Sequence, residues 1–478
     1  MVKYFWAWIS LTILLLGMLT FGCDPLLVRS PPDEGSISLS DPRENPDAAL
    51  PPPRLHNDSL VESPSWEPVQ EWEEGSVEGL SLDIAIDRLL TTSLELAARF
   101  QDIPKARADV LTAGLRSDPI VFLSAVPIPY GRFSPQQPGA TAYNITFVQP
   151  LDLSGKHRTN KRVAEKNIPI LEAHYQDAVR LEIDRLFTVF VNVLQARAEV
   201  GAARAHLKIL TEAAQRCEEQ LRQGLCSPSD SKRVSIRQAR ARIALRQAEA
   251  SLLHAQRNLA ALLALPLDQA DRLHICGSLR DQAPLPPPTS ELIDMARRNR
   301  PDLRALQLSI DRAHAEVRRE KAEALDDFFL FFTPYQAVDQ TPQSKQVAYS
   351  WEIGLMIPIP SLNRNQGEIQ RARVNLTQWR IEVEHTEQEI INEVRRAAAE
   401  YTVSRQVAEQ YQRDILPPVR RRHEETYRRF CEEGREVASF LAVQREYEET
   451  IRAYLEALAR HRRAMLHLNT AVGQRILP

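Results

Sequence analysis

The chain has 478 residues, 43% of them hydrophobic and 26% charged, with a formal net charge of −3. That is ample for a folded body, and the near balance of charge excludes the strongly basic surface of a nucleic-acid binder. Gly is scarce while Ala, Leu, Arg and Glu abound, the composition of long helices with charged outer faces. The 32 prolines cluster, many between Pro25 and Pro68 and several between Pro284 and Pro301. Of the five cysteines, Cys217, Cys226, Cys276 and Cys431 show no CxxC or Cys/His metal spacing. Cys217 and Cys226 flank an expected helix end, where a local disulfide and two buried thiols are both open.

Residues 1–23 carry one early positive charge, Lys3, and then an apolar run too short for a confident transmembrane helix. Their end, Leu19-Thr20-Phe21-Gly22-Cys23, resembles a bacterial lipoprotein signal in which Cys23 is lipidated. Thr20 stands where that pattern has an aliphatic residue, so ordinary cleavage or a retained anchor also fit. Asp24, next to the cysteine, acts as an inner-membrane retention signal in some bacteria. Residues 24–78 are rich in Pro, Ser, Asp and Glu without periodicity, and read as a disordered tether.

From Leu82 a helical pattern runs to about Ser117, where Asp118-Pro119 stops it. Ile120–Leu123 is a short strand-like run. Tyr143, Ile145 and Phe147 then alternate with Asn144 and Thr146, the signal of a strand with two unlike faces. Residues 119–150 thus read as a hairpin with a long loop. After Gly155 the helix period returns to about Gln223. Its seam is Val179, Ile183, Leu186, Phe190, Val193 and Val200, with Arg197 at the remaining position. Residues 156–222 would span about 100 Å at 1.5 Å per residue. Gly224 and Ser227-Pro228 reverse the chain into a helix ending near Leu265.

Residues 266–289 are a Pro-rich connector. Ser290–Arg298 and the run from Pro301 to about Ala324 read as helices, with Pro301 in a first turn. Phe328–Phe332 is an aromatic strand expected to end at Pro334. Trp351, Ile353, Leu355 and Ile357 alternate with Glu352, Gly354 and Met356. A long helix covers about Gly367–Glu433, interrupted by Pro417-Pro418, and Gly434 reverses the chain into a last helix reaching Gly473. The same order of elements therefore occurs twice at an offset of about 210 residues, an internal duplication. Its parts are 79–265, the connector 266–289, and 290–478. Each long helix is expected beside two shorter ones stacked end to end, with both hairpins at one end and both glycine turns at the other.

Four strands from one chain cannot close a barrel that hides its own edges, but several chains can close one together. A closed barrel is the β form that a membrane permits. Tyr143, Ile145, Phe147, Phe328, Trp351, Ile353 and Leu355 are the candidates for a lipid-facing surface. A water-soluble sheet packed on helices fits the same alternation.

One resemblance is specific. Val148-Gln149-Pro150-Leu151-Asp152-Leu153-Ser154-Gly155-Lys156 follows the first hairpin, and Ile357-Pro358-Ile359-Pro360-Ser361-Leu362-Asn363-Arg364-Asn365-Gln366-Gly367 follows the second. With Asn299-Arg300-Pro301-Asp302-Leu303 and the closing Gly434…Ala442-Val443-Gln444…Leu468…Ala471-Val472-Gly473, they make residues 80–474 resemble a TolC-family outer-membrane factor. The likeness is nearest to the heavy-metal and multidrug efflux branch. It implies a mainly α fold with a small β part: duplicated long-helix hairpins forming an α-barrel, and four strands per chain in a trimeric twelve-stranded transmembrane β-barrel. It also implies a homotrimer in outer-membrane lipid, a periplasmic membrane-fusion adaptor, and an inner-membrane pump of RND or ABC type.

The resemblance places a constriction at the turns, with an Asp six residues after the turn glycine. Asp230 fills that position after Gly224; Phe440 fills it after Gly434, and Val443 replaces a second acidic position. Asp230 reads equally as gate residue or helix cap. Glu432, Glu433 and Glu436 are candidates to supply charge there, though each also reads as a solvated helix-end charge. The 11 His are scattered, with His206, His254 and His461 alone on helices and expected to face solvent or line the tube. No HExxH, P-loop or GxSxG context occurs, so neither an enzyme nor a cofactor is expected. The function so implied is a passive exit duct for small molecules or metal ions. A type I protein-secretion channel and a non-channel periplasmic scaffold are the alternatives, and the sequence does not give the substrate.

Overall fold

A computed structural model describes residues 79–126, 141–224, 226–271, 273–280, 284–339, 348–433 and 437–477. Cys23 and the tether 24–78 lie outside the described residues. Three helices open the body: α1 (Leu82–Thr92), α2 (Leu94–Phe100) and α3 (Asp102–Gly114). The sequence pattern gives one helix here, and local chemistry divides it. Ser81 caps α1 by accepting from the Ile84 N–H, and Ser93 does the same for Leu96 at the start of α2. Pro104, in the first turn of α3, has no N–H to continue α2.

Strands β1 (Ile120–Val126) and β2 (Thr141–Leu151) form the first hairpin. Helix α4 (Lys156–Arg222) follows, 67 residues long, and runs through Pro169. The return helix is α5 (Pro228–Leu262); a short α6 (Leu267–Ala270) opens the connector, followed by α7 (Thr289–Asn299) and α8 (Pro301–Ala322). The second hairpin is β3 (Phe328–Asp339) with β4 (Ala348–Met356). Strand β3 does not end at Pro334. A register shift between Thr333 and Gln336 lets the chain pass a residue that cannot donate to the ladder. The second long helix is α9 (Gln366–Gln410), a π-helical turn at Tyr411–Ile415, and α10 (Leu416–Glu433). The widened turn lies directly before Pro417 and Pro418, which lack N–H groups and crowd the carbonyls four residues back. Helix α11 (Val437–Val472) closes the chain.

Helix α4 packs along α5, α8, α3 and α11, and α9 packs along α11, α8 and α7. The seam residues Leu186, Phe190 and Val193 of α4 meet Ile390, Val394 and Tyr401 of α9 and Leu455, Leu458 and Met465 of α11 in the main buried cluster. Burying each such side chain contributes about 1.5–3 kcal/mol, which is why apolar spacing fixes the helix faces. Arg197 holds its seam position by donating from Nη1 to the Ile275 carbonyl at 2.8 Å. The four strands form one antiparallel sheet in the order β1-β2-β3-β4, so the two hairpins lie side by side.

Candidate functional site

The sheet has two chemically different faces, and register decides which residues share each. Val121 pairs with Phe147, which pairs with Phe332, which pairs with Ile353; Leu123 pairs with Ile145, and Leu330 with Leu355. Side chains alternate along a strand, so Tyr143 and Trp351 join this apolar face. Tyr143, Ile145, Phe147, Trp351, Ile353 and Leu355 are all exposed, Trp351 at 63%. Phe328 is only half-buried at the sheet's helix end. The opposite face carries Ser124 against Asn144, Phe122 against Thr146, and Thr333 against Glu352. On it Asn144 Nδ2 donates to Ser124 Oγ at 3.4 Å, and Thr146 and Thr333 share a 2.9 Å bond. Toward its helix end this face turns apolar, and the Phe331 ring lies over Gly354, where any side chain would collide with it.

The two strand-to-helix corners are built alike. Gly155 precedes α4 with φ 73° and Asn365 precedes α9 with φ 56°, both left-handed. At the first, Asp152 accepts from the N–H groups of Gly155, Lys156 and His157 and from Ser154 Oγ, at 2.7 to 3.1 Å. Burial works to raise its pKa, but these four donors together hold it below the usual carboxylate range. At the second, Asn365 Nδ2 donates to the Glu320 carbonyl and carboxylate. Sequence reading quoted both motifs without assigning these roles.

The Asn299–Leu303 motif forms a clamp. Arg300, 6% exposed, reaches Asp302 at 2.7 Å, Glu393 at 2.6 Å and the Ala471 carbonyl at 3.2 Å. It joins the start of α8 to α9 and to the end of α11. Gly473, at φ 75°, fits beside it: an added Cβ would stand 3.1 Å from Arg300 Cγ.

At the far end, Gly224 takes φ 77° and the chain reverses. Ser227 caps α5 by accepting from the Asp230 N–H at 3.2 Å and donates from Oγ to the Asp230 carboxylate at 3.1 Å. Asp230 also meets Arg233 at 3.5 Å. Phe440 is fully buried and stacks on Phe430 with centroids 4.7 Å apart. It belongs to a cluster with Leu210, Cys217, Cys226, Val234 and Val437, so both ends of the chain's two reversals share one small core. Glu432 and Glu433 end α10. Gly434, Glu436 and the side chains of Glu432 and Glu433 lie outside the described residues.

One network was missed. His423 Nε2 donates to Gln444 Oε1, Gln444 Nε2 to His206 Nδ1 at 2.7 Å, and His206 Nε2 to Glu448 at 3.0 Å. This chain crosses from α10 through α11 to α4, with Tyr447 stacked on His423 at 4.6 Å. Burial lowers the pKa of His423, and the His206 bond lowers that of Glu448. His206 therefore does not face solvent, and neither does His461, which is buried and bonded to Ser404 Oγ at 3.1 Å. His254 is exposed, as expected. Among the described residues no cluster of three or more His, Cys, Asp or Glu could hold a metal, and no helix is long and apolar enough to cross a membrane.

Residues 86–265 and 292–474 match the family model described as "Outer membrane efflux protein". The cobalt-zinc-cadmium resistance protein CzcC of Cupriavidus metallidurans is 27% identical over 269 residues, 56% of this chain and 62% of that protein. The chain thus matches less than two thirds of that curated relative. A structure of CusC superposes with TM-score 0.65 at 16% identity, covering 87% of this chain and 96% of that one. The open state of the MtrE outer membrane channel of Neisseria gonorrhoeae gives TM-score 0.64 at 16% identity, with 90% and 98% covered.

Proposed function

The chain belongs to the outer membrane efflux protein family, and from that premise we propose that three copies close one barrel across the outer membrane and act as a passive exit duct. The observation that carries this reading is the two-faced sheet with open edges. Among the described residues of one chain β1 and β4 each lack a neighbour on one side, and hydrocarbon leaves no water to satisfy such an edge. Pairing β1 of one copy with β4 of the next removes every edge. Two copies would give a barrel whose interior side chains fill it, whereas three leave a water-filled lumen. The apolar face then meets lipid, and Asn144, Thr146, Thr333 and Glu352 line the lumen.

The helices continue the duct into the periplasm, and the turns at Gly224 and Gly434 form its entrance, with Asp230 at the constriction. Cys23 carries the lipid anchor and residues 24–78 the tether. The chain supplies no energy of its own, so an inner-membrane pump reached through a periplasmic adaptor drives transport. Divalent metal cations are the first substrate class to test, because the relative CzcC is named for cobalt, zinc and cadmium resistance. Deleting the gene should lower cellular tolerance to cadmium and zinc, and restoring it should return that tolerance. Unchanged tolerance in a strain that normally makes the protein in quantity would remove metals from the reading.

A further inference from the structure

Cys217 and Cys226 are a pair that a duct does not require. Cys217 lies near the end of α4, and Cys226 lies just past the Gly224 reversal. Both are buried, at 0% and 7% exposure, in the same small cluster at the turns. The chain's own hydrogen bonds bring them together. The Gly224 N–H donates to the Leu221 carbonyl at 3.1 Å, and the Cys226 N–H to the Gln220 carbonyl at 3.3 Å. Gln220 stands three residues past Cys217, on the same helix face. The reversal therefore folds Cys226 back toward Cys217, and the structure holds the two as free thiols within one buried cluster. Burial, then contact with the Cys226 thiol and the Asp230 charge, pushes the Cys217 thiol up to about 12.

We propose that Cys217 and Cys226 form an intrachain disulfide that closes the first helix turn. This rests on the duct reading only for its compartment, since an outer-membrane protein folds in the oxidising periplasm. The oxidant is a disulfide-bonded thiol oxidoreductase. One cysteine thiolate attacks a sulfur of the oxidant's disulfide, forming a mixed disulfide and releasing the oxidant's other sulfur as a thiolate. The second cysteine thiolate attacks the bound sulfur of its partner cysteine and expels the oxidant. Two electrons leave the chain, and the two cysteine protons end on the oxidant's two thiols. A buried thiol that resists ionisation is a poor nucleophile, so the bond forms before the turn packs and is sheltered from reductant afterwards.

The tie is confined to one turn. At the offset of about 210 residues the matching positions are Tyr427 and Glu436, so the second turn has no such pair. The disulfide fixes the Ser227 cap and the start of α5 to α4.

The test is a mass measurement on the full chain taken from the outer-membrane fraction of bacteria. The chain is denatured in the presence of N-ethylmaleimide and digested without reductant. The expected product joins the Cys217 and Cys226 positions, lighter by two hydrogen atoms than the free dithiol form, without label until reduced. Label on both Cys217 and Cys226 in that fraction overturns the proposal. In a Cys217→Ser variant, Cys226 should take one label; a blocked Cys226 there means another partner and overturns the pairing. If the chain is absent from the envelope, the duct reading fails separately. Refolding in oxidised glutathione then decides the pair alone: a peptide linking Cys217 to Cys226 supports it, and label on both of them overturns it.

Discussion

Arg300 stands between Asp302 and Glu393 with almost no access to water. Its removal leaves two carboxylates facing each other without their cation, so Arg300→Ala should cost about 3–5 kcal/mol of stability. Thermal unfolding of the purified protein in detergent checks this; a loss within the error of the measurement contradicts it. The Asn299–Leu303 motif was visible in the sequence, but its partners are 93 and 171 residues away and no local spacing encodes them. The same holds for Gln444, which looks like an ordinary polar helix residue and is the bridge between His206 and His423. That bridge gives a pH dependence. Burial lowers the His423 pKa, so the fold prefers the neutral ring while the unfolded chain takes up a proton near 6.5. The stability it adds is full above that value and is lost as pH falls below it. Hydrogen-exchange protection in the α10–α11 region, corrected for the intrinsic exchange rate at each pH, should therefore fall between pH 7.5 and 5.5, and His423→Phe should flatten that dependence. Equal slopes in both proteins would contradict this role.

The turn after α4 separates two roles for Asp230 that its sequence position leaves open. Ser227 caps α5 and the Asp230 carboxylate accepts from its hydroxyl, so Ser227→Ala should cost about 0.5–2 kcal/mol and Asp230→Ala less. A gate residue adds a second effect: Asp230→Ala alone should raise entry of large antibiotics into cells at equal protein level. Equal sensitivity of the two variants means that Asp230 only caps. The ends of α4 were readable because Gly155 and Gly224 punctuate them, both in left-handed backbone. The breaks among α1, α2 and α3 were not, because Ser93 is equally at home on an exposed helix face. The π turn at Tyr411–Ile415 was also hidden. Pro417 and Pro418 mark the interruption, but whether a helix kinks, stops or widens there is decided by its packing on α11.

At the scale of the whole molecule, period-two alternation in β2 and β4 predicted two unlike faces, and the register gathers Phe147, Phe332 and Ile353 on one and Ser124, Asn144, Thr333 and Glu352 on the other. Only Phe328 among the candidates is poorly exposed, because it sits where the sheet meets the helices. What one chain's sequence does not carry is the closure itself, since in the proposed duct the partners of β1 and β4 are other copies. If lipid covers the apolar face, Ile353→Arg should destabilise the assembled protein by about 2–4 kcal/mol while Asn144→Arg on the polar face costs far less. Equal costs would contradict the assignment of faces. The most direct measurement is single-channel conductance of the purified full chain in a planar lipid bilayer. A trimeric duct gives discrete, reproducible openings that insert at one unit size, and Asn144→Arg shifts their ion selectivity toward anions. A folded, homogeneous protein that inserts without conductance would contradict the account.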